Sequence, residues 1–492
     1  MSKESLKDEL DETKFNHFHG ELHANRSVID IAYEKERFSS IKDECQKLIL
    51  SDDTLKRLMK VFLENMERGL SSDSSEKAAV KMLPTFVQSV PNGQEKGHFL
   101  ALDLGGTNFR VLSIEMTGVA GVAKWESKIY AVPHALMVGT GQALFDHIAD
   151  CMRLFMAEYG LTGKDLPLGF TFSFPCRQEG LTKGVLISWT KGFQASGVEG
   201  NDVVGLLRNS IERKKIKLRV VALLNDTTGT LMSCAFQKND CQLGVIVGTG
   251  TNACYMEKIN RCPKLTKLVP NAGPNDEMII NTEWGAFGDD GSLEFIRTEW
   301  DRIVDGNSIN PGKQLFEKMI SGMYMGELVR QVLVHLAKKN LIFLEGLTES
   351  LQKVGGFPTK YVTEIERDLE ESSRMYLRSF GVLQELGMRA VSSADCANVA
   401  YVCSLISSRA ASLCAAAIAQ LLNRMGKPHV TVGVDGSVYR FHPSFQTNLR
   451  RKIEQLVDRQ LKFALMLSHD GSGKGAALVA AVAARVSRQS TR

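Results

Sequence analysis

Four glycine-bearing turns stand at strand or helix ends in this chain, where exposed backbone N–H groups could hold phosphate. The first is Asp103-Leu104-Gly105-Gly106-Thr107-Asn108, set between the apolar runs 99–104 and 109–114. That pattern predicts a strand, a glycine turn and a returning strand whose tip exposes backbone N–H groups. Gly105 and Gly106 let the backbone approach an anion, and Thr107 and Asn108 add side-chain donors. Asp103, a carboxylate just ahead of the cradle, is placed to hold Mg²⁺ against phosphates. Taken alone, the same residues also read as an ordinary β-hairpin with an Asn/Gly turn.

The arrangement then recurs. Gly248-Thr249-Gly250-Thr251-Asn252 follows the apolar run 243–247 and precedes a second returning strand, 253–257. Asp435-Gly436-Ser437 ends another predicted strand, 430–434. Asp470-Gly471-Ser472-Gly473-Lys474-Gly475 opens an alanine-rich helix, whose N-terminus exposes N–H groups suited to anions.

Familiar motifs do not account for these turns. Gly248 to Ala253 has the G-x-G-x-x-A spacing of a dinucleotide site, but a strand follows where a helix is required. Gly471 to Gly475 lacks the Ser or Thr that a P-loop needs after its lysine. The histidines, His134, His335 and His442 among them, have no partner at metal-binding spacing.

Around the turns the chain predicts strands at 98–104, 109–115 and 127–132 and a helix over 142–159. Strands at 166–172 and 218–224 flank a helix over 202–214. The second unit repeats with strands at 243–247, 253–257 and 278–280 and one long helix, 312–338; residues 340–425 read as mostly helical. Strand, glycine turn, strand, strand, helix, met twice, predicts an internal duplication. Two α/β lobes would each offer a glycine turn to a shared central cleft.

Composition narrows the field. The 492 residues are 43% hydrophobic, enough for two large cores. A net charge of +4, from 60 basic and 56 acidic residues, gives no reason to expect nucleic acid or a membrane surface as partner. The apolar stretches 402–425 and 476–486 carry Arg409 and Arg485 and read as buried helices rather than membrane spans. Ten cysteines without a C-x-x-C pair suit a reducing compartment, and MSKESLKDELDETKF has no presequence pattern, so a cytoplasmic location is expected.

Ten segments, in order, give the chain a family likeness. LALDLGGTNFR, LGFTFSFP, WTKGF, ASGVEG, LNDTTGTL, GTGTNACY, INTEWGAFG, PGKQLFEKM, VGVDGS and GSGKGAA resemble the eukaryotic hexokinases, over residues 45 to 486. The resemblance implies one catalytic unit of the actin-like, ribonuclease H-like superfamily: α/β, two duplicated lobes around a central cleft, with additional helices. Residues 1–30, polar and without a clear period, are expected from their own composition to be a flexible extension. Segments 31–92 and 225–466 would form the large lobe, and 93–224 with 467–492 the small one.

The roles that follow are those the resemblance implies. Asp226 would be the general base that takes the proton from a sugar 6-hydroxyl, and Lys191 would contact the sugar and the transferring phosphoryl group. Ser173, Thr190, Lys191, Asn225, Asp226, Asn252, Glu283 and Glu317 would bind the hexose. Gly105, Gly106, Thr107, Asn108 and Arg110 would cradle part of the ATP phosphate chain, and Gly248, Thr249, Gly250 and Thr251 the rest. Asp103 would hold Mg²⁺ through water, while Gly433, Ser437 and Ser472 would lie near the adenosine and α-phosphate. Expected partners are MgATP, glucose and other hexoses, with glucose 6-phosphate as an inhibitor. The alternative is a catalytically silent sugar sensor on the same fold.

Overall fold

The computed structural model describes residues 28–105, 107–119, 121–174, 176–189, 192–370, 376–468 and 471–490. The extension expected at the N-terminus lies outside these residues, except that 28–30 begin a helix, Val28–Cys45.

The duplication is visible in the sheets. The first has strands β1 (Lys96–Leu104), β2 (Asn108–Thr117), β3 (Ala123–Ala131), β4 (Leu166–Phe172) and β5 (Leu218–Leu224), in the order β3-β2-β1-β4-β5. β2 runs antiparallel to β1 and β3, while β4 runs parallel to β1 and β5. The second sheet repeats that order and sense with β6 (Cys241–Val247), β7 (Thr251–Lys258), β8 (Glu277–Asn281), β9 (His429–Asp435) and β10 (Lys462–Leu467). A two-residue strand, Leu83–Pro84, adds to its β8 edge.

Alternation assigns each strand face to a core. In β1, Leu100, Leu102 and Leu104 join one cluster, while Phe99 and Ala101 join another, as a period of two requires. Helix α1 (Asp52–Leu70) packs through Leu55, Leu58, Met59, Phe62 and Met66 and is capped by Ser51, whose Oγ accepts from Thr54 N. Helices α2 (Gly141–Glu158) and α3 (Val203–Arg213) cover the outer face of the first sheet.

Two helices stitch the halves together, and one of them has no sequence signature. Helix α4 (Asp226–Gln237) starts directly after β5, yet Thr227-Thr228-Gly229-Thr230 is a poor helix former and the whole segment from Thr227 to Phe236 is buried. Burial on every side leaves no amphipathic stripe to detect. α4 lies against the second sheet, where a Cβ on Gly244 would come within 2.6 Å of Thr227 O.

The predicted helix over 312–338 divides into α5 (Leu315–Ile320) and α6 (Gly322–Lys338). Ser321 between them is extended, and Gly322 N donates to Gly248 O at 2.8 Å, so the break is seated on the second glycine turn. Helix α7 (Ser393–Met425) is long and apolar enough to cross a bilayer, but it is mostly buried within the protein, where Arg409 pairs with Asp301. Helix α8 (Gly471–Ser490) follows β10 and lies on the first sheet; a Cβ on Gly169 of β4 would meet Ala476 O at 1.9 Å. Each sheet's last strand therefore feeds a helix that packs on the other sheet. The third core cluster, with Ala101, Leu231, Ala235, Ile279, Ala476 and Ala480, surrounds their crossing.

Candidate active site

The turns at the carboxyl ends of the parallel strands, where open α/β sheets bind ligands, carry most of the expected residues. In the first sheet Asp103 registers with Thr171 of β4, and Thr171 with Leu224 of β5, so Asp103, Ser173, Asn225 and Asp226 share one edge. A Cβ on Gly105 would lie 3.6 Å from Ser173 Oγ. Asp103 is also the cross-strand partner of Arg110, which sets the two on the same face.

Asn225 and Asp226 are held by the start of α4. Asn225 caps it, its Oδ1 accepting from Thr228 N at 3.2 Å and Thr228 Oγ1 at 2.7 Å, and Thr227 N donates to Asp226 Oδ1 at 2.8 Å.

Facing them is an amide and carboxylate cluster from the second half. Asn252 Nδ2 donates to Asn281 Oδ1 at 2.8 Å and to Glu283 Oε1 at 3.3 Å, and Asn281 Nδ2 donates to the same Glu283 oxygen at 2.7 Å. Burial raises the pKa of Glu283 above the ordinary carboxylate range, and the charges of Asp226 and Glu317 push it the same way. Three acids from three segments thus share one site. Glu283 adopts a left-handed backbone, φ 53° and ψ 46°, and Gln314, just ahead of the Glu317 helix, does likewise at 58° and 43°. Strained non-glycine residues of this kind concentrate at ligand sites.

Glu317 also explains a glycine. Its Oε2 accepts from Thr251 N at 3.0 Å, and a Cβ on Gly250 would sit 2.5 Å from that oxygen. Thr251 turns its hydroxyl inward, donating to Ile246 O at 2.9 Å and accepting from Trp284 Nε1 at 3.1 Å. Gly248 is buried beneath the turn, whereas Thr249 and Ser437, like Thr107 and Asn108 opposite, are exposed.

A recess of about 420 Å³ joins the halves, lined by Arg110 from the first sheet and by Asp435, Gly436, Ser437, Arg440, Phe441 and Gly471. Asp435 ties its wall: it accepts from Gly436 N at 2.8 Å, Arg440 Nη2 at 3.1 Å and Gly471 N at 3.1 Å.

Gly433 lies buried inside β9 with Cys234 Sγ 2.7 Å from where its Cβ would be, so its missing side chain makes room for α4. Gly106, Thr190 and Lys191 fall outside the described residues, and Ser472 is in the first turn of α8. Asn281, Arg440 and Phe441 have no role in the sequence reading, and Asp435 enters it only as part of its glycine turn. Asp435, an acid directly ahead of a glycine turn, carries the same signal that singled out Asp103.

Fold and site together define a duplicated, actin-like two-lobed α/β protein with an acid- and amide-lined cleft. Residues 40–236 and 242–482 each match a family model described as Hexokinase. Rat Hexokinase-2 is 50% identical over 450 residues, covering 89% of this chain and 48% of that one. Human Hexokinase-1 is 46% identical over 469 residues, covering 92% and 50%. The chain spans about half the length of the curated relatives it matches. Among solved structures, a hexokinase from Schistosoma mansoni complexed with glucose is 41% identical, with a TM-score of 0.81, covering 91% of this chain and 99% of that one. Another hexokinase crystal structure is 31% identical at the same TM-score, covering 91% and 100%. The chain belongs to the hexokinase family.

Proposed function

We propose that this chain transfers the γ-phosphoryl group of MgATP to the 6-hydroxyl of glucose and related hexoses, giving hexose 6-phosphate. The observation that carries the reading is the cluster of Asp226, Asn252, Asn281, Glu283 and Glu317. Amides and carboxylates in such number suit a ring of hydroxyls, each of which needs a donor or an acceptor. A site built to pair every hydroxyl penalises an analogue lacking one.

Within that reading Asp226 is the general base, and Ser173 and Asn225 complete the sugar contacts beside it. Lys191 and Thr190 join them on family likeness. The exposed hydroxyls of Thr107, Thr249 and Ser437, with Arg110, receive the phosphates. Among the described residues no group of three or more His, Cys, Asp or Glu could hold a metal ion. A single carboxylate at Asp103 suits Mg²⁺ that arrives with ATP and keeps its waters, where it would neutralise phosphate charge. Glucose 6-phosphate, offering a phosphate to the same hydroxyls, is the proposed inhibitor. Residues 31–92 with 225–466 and 93–224 with 467–492 are the bodies proposed to close on sugar, which withholds ATP from water until the acceptor is bound. Ten free thiols support a cytoplasmic setting.

Initial rates with MgATP against glucose, mannose and fructose, with and without glucose 6-phosphate, test this. Hexose-dependent ADP release is expected. Glucose binding without turnover would replace the kinase by the silent sensor, and rapid ATP hydrolysis without sugar would overturn the reading.

A further inference from the structure

Helix α5, which carries Glu317, has six residues, too few to hold its own shape or bearing. Its orientation is imposed from outside. At its start Gln314 N and Leu315 N donate to the two oxygens of one carboxylate, Asp289 Oδ2 at 3.1 Å and Oδ1 at 3.0 Å. On its flank Lys318 Nζ donates to Asp305 Oδ1 at 2.7 Å and to Asn310 O at 2.8 Å, with Lys318 buried. The Asp305 contact anchors α5 to the neighbouring helix Glu299–Gly306.

Asp289 belongs to the loop that carries Glu283. That loop is a compact turn: Phe287 N donates to Trp284 O at 2.9 Å and Asp289 N to Ala286 O at 3.1 Å. Its far end is tied to α1 through Asp290 and Arg68, 3.2 Å apart. One short loop therefore presents Glu283 to the site and grips the helix that presents Glu317.

We infer that Asp289 is a positioning residue for sugar recognition, clamping the Glu317 helix onto the Glu283 loop and so fixing the spacing of the two carboxylates. The inference rests on the sugar-binding reading above. Asp289 acts only through Glu317: it donates nothing to a ligand, and its two oxygens are taken by Gln314 N, just ahead of α5, and Leu315 N, its first residue. Removing it leaves two helix N–H groups unmet and lets α5 turn about Lys318.

Calorimetric titration of the full chain with glucose, without nucleotide, reads this independently of turnover. Asp289→Ala should weaken glucose binding about tenfold, the size of a lost helix cap. Asp289→Asn, which keeps one acceptor, should recover part of it. In a Glu317→Ala background the same Asp289→Ala change should cost less than about twofold, because the group it positions is gone. Unchanged affinity in Asp289→Ala, or an equal loss in both backgrounds, would overturn the inference. Should Asp289→Ala fail to fold, Asp289→Asn in the two backgrounds makes the same comparison. A wild-type chain that binds no glucose would instead overturn the sugar reading itself.

Discussion

Gly229 and Gly475 stand where α4 and α8 cross, so close that a Cβ on Gly475 would lie 2.1 Å from the Cα of Gly229. α4 carries Asp226 at its head and packs on the second sheet, and α8 packs on the first. The two helices therefore touch backbone to backbone at this crossing, and a side chain on Gly475 would not fit there.

Gly475→Ala should accordingly lower stability. Overpacking costs about 1–3 kcal/mol, which outweighs the gain of up to about 1 kcal/mol in helix propensity. Thermal unfolding measures the loss.

On the proposed mechanism Asp226→Asn should lower kcat by about 10³-fold while glucose affinity changes by no more than about threefold, since the amide keeps the shape and cannot take the proton. A coupled assay for ADP, paired with calorimetry, separates the two effects.

Glu283→Gln should trade function for stability. Burial and the neighbouring acids raise the Glu283 pKa in the folded chain, so its contribution to stability is full below the ordinary carboxylate range and is lost as pH rises through the raised value. The glutamine escapes that loss and keeps an acceptor for Asn281. Melting temperatures should match near pH 4 and favour the variant by about 1–2 °C at pH 8, with glucose binding weakened.

Acid should loosen the helix Val28–Cys45 early. Hydrogen bonds from His335 and Lys339 of the α6 end lower Glu44 to about 2. A depressed carboxylate stabilises above its unfolded value, near 4.5, and that contribution is lost as pH falls toward 2. Hydrogen exchange between pH 5 and 3 should show this helix opening before α7 does.

Arg409→Met should be severe. Arg409 holds Asp301 through two bonds, 2.9 and 2.7 Å, with both side chains buried. Removing one partner strands a buried charge at about 3–5 kcal/mol, and Arg409→Met with Asp301→Leu should recover only part of it in thermal melts, because Asp301 also accepts from Thr298 N at 2.7 Å in the cap of the helix Glu299–Gly306.

Much of the architecture was legible because it is written locally. Alternating apolar residues in 98–104 and 243–247, with glycines at their ends, give strands and turns from nearest-neighbour chemistry alone, and their recurrence gives the duplication. The polar residues Asn225, Asp226, Asn252, Glu283 and Glu317 could be chosen by family likeness, but nothing local says that they meet.

That meeting was decided by tertiary structure. Helix α4 forms despite its threonines because it is buried between α8 and the second sheet, and it delivers Asp226 to the cleft. The helix over 312–338 breaks at Ser321 because Gly322 sits on Gly248, and the break aims Glu317. Gly433 lies within its strand under Cys234, and a glycine looks the same in sequence whether it admits a ligand or a helix. Sequence determined which segments could form and which chemistry they could carry. Close packing between segments hundreds of residues apart determined where that chemistry came to rest.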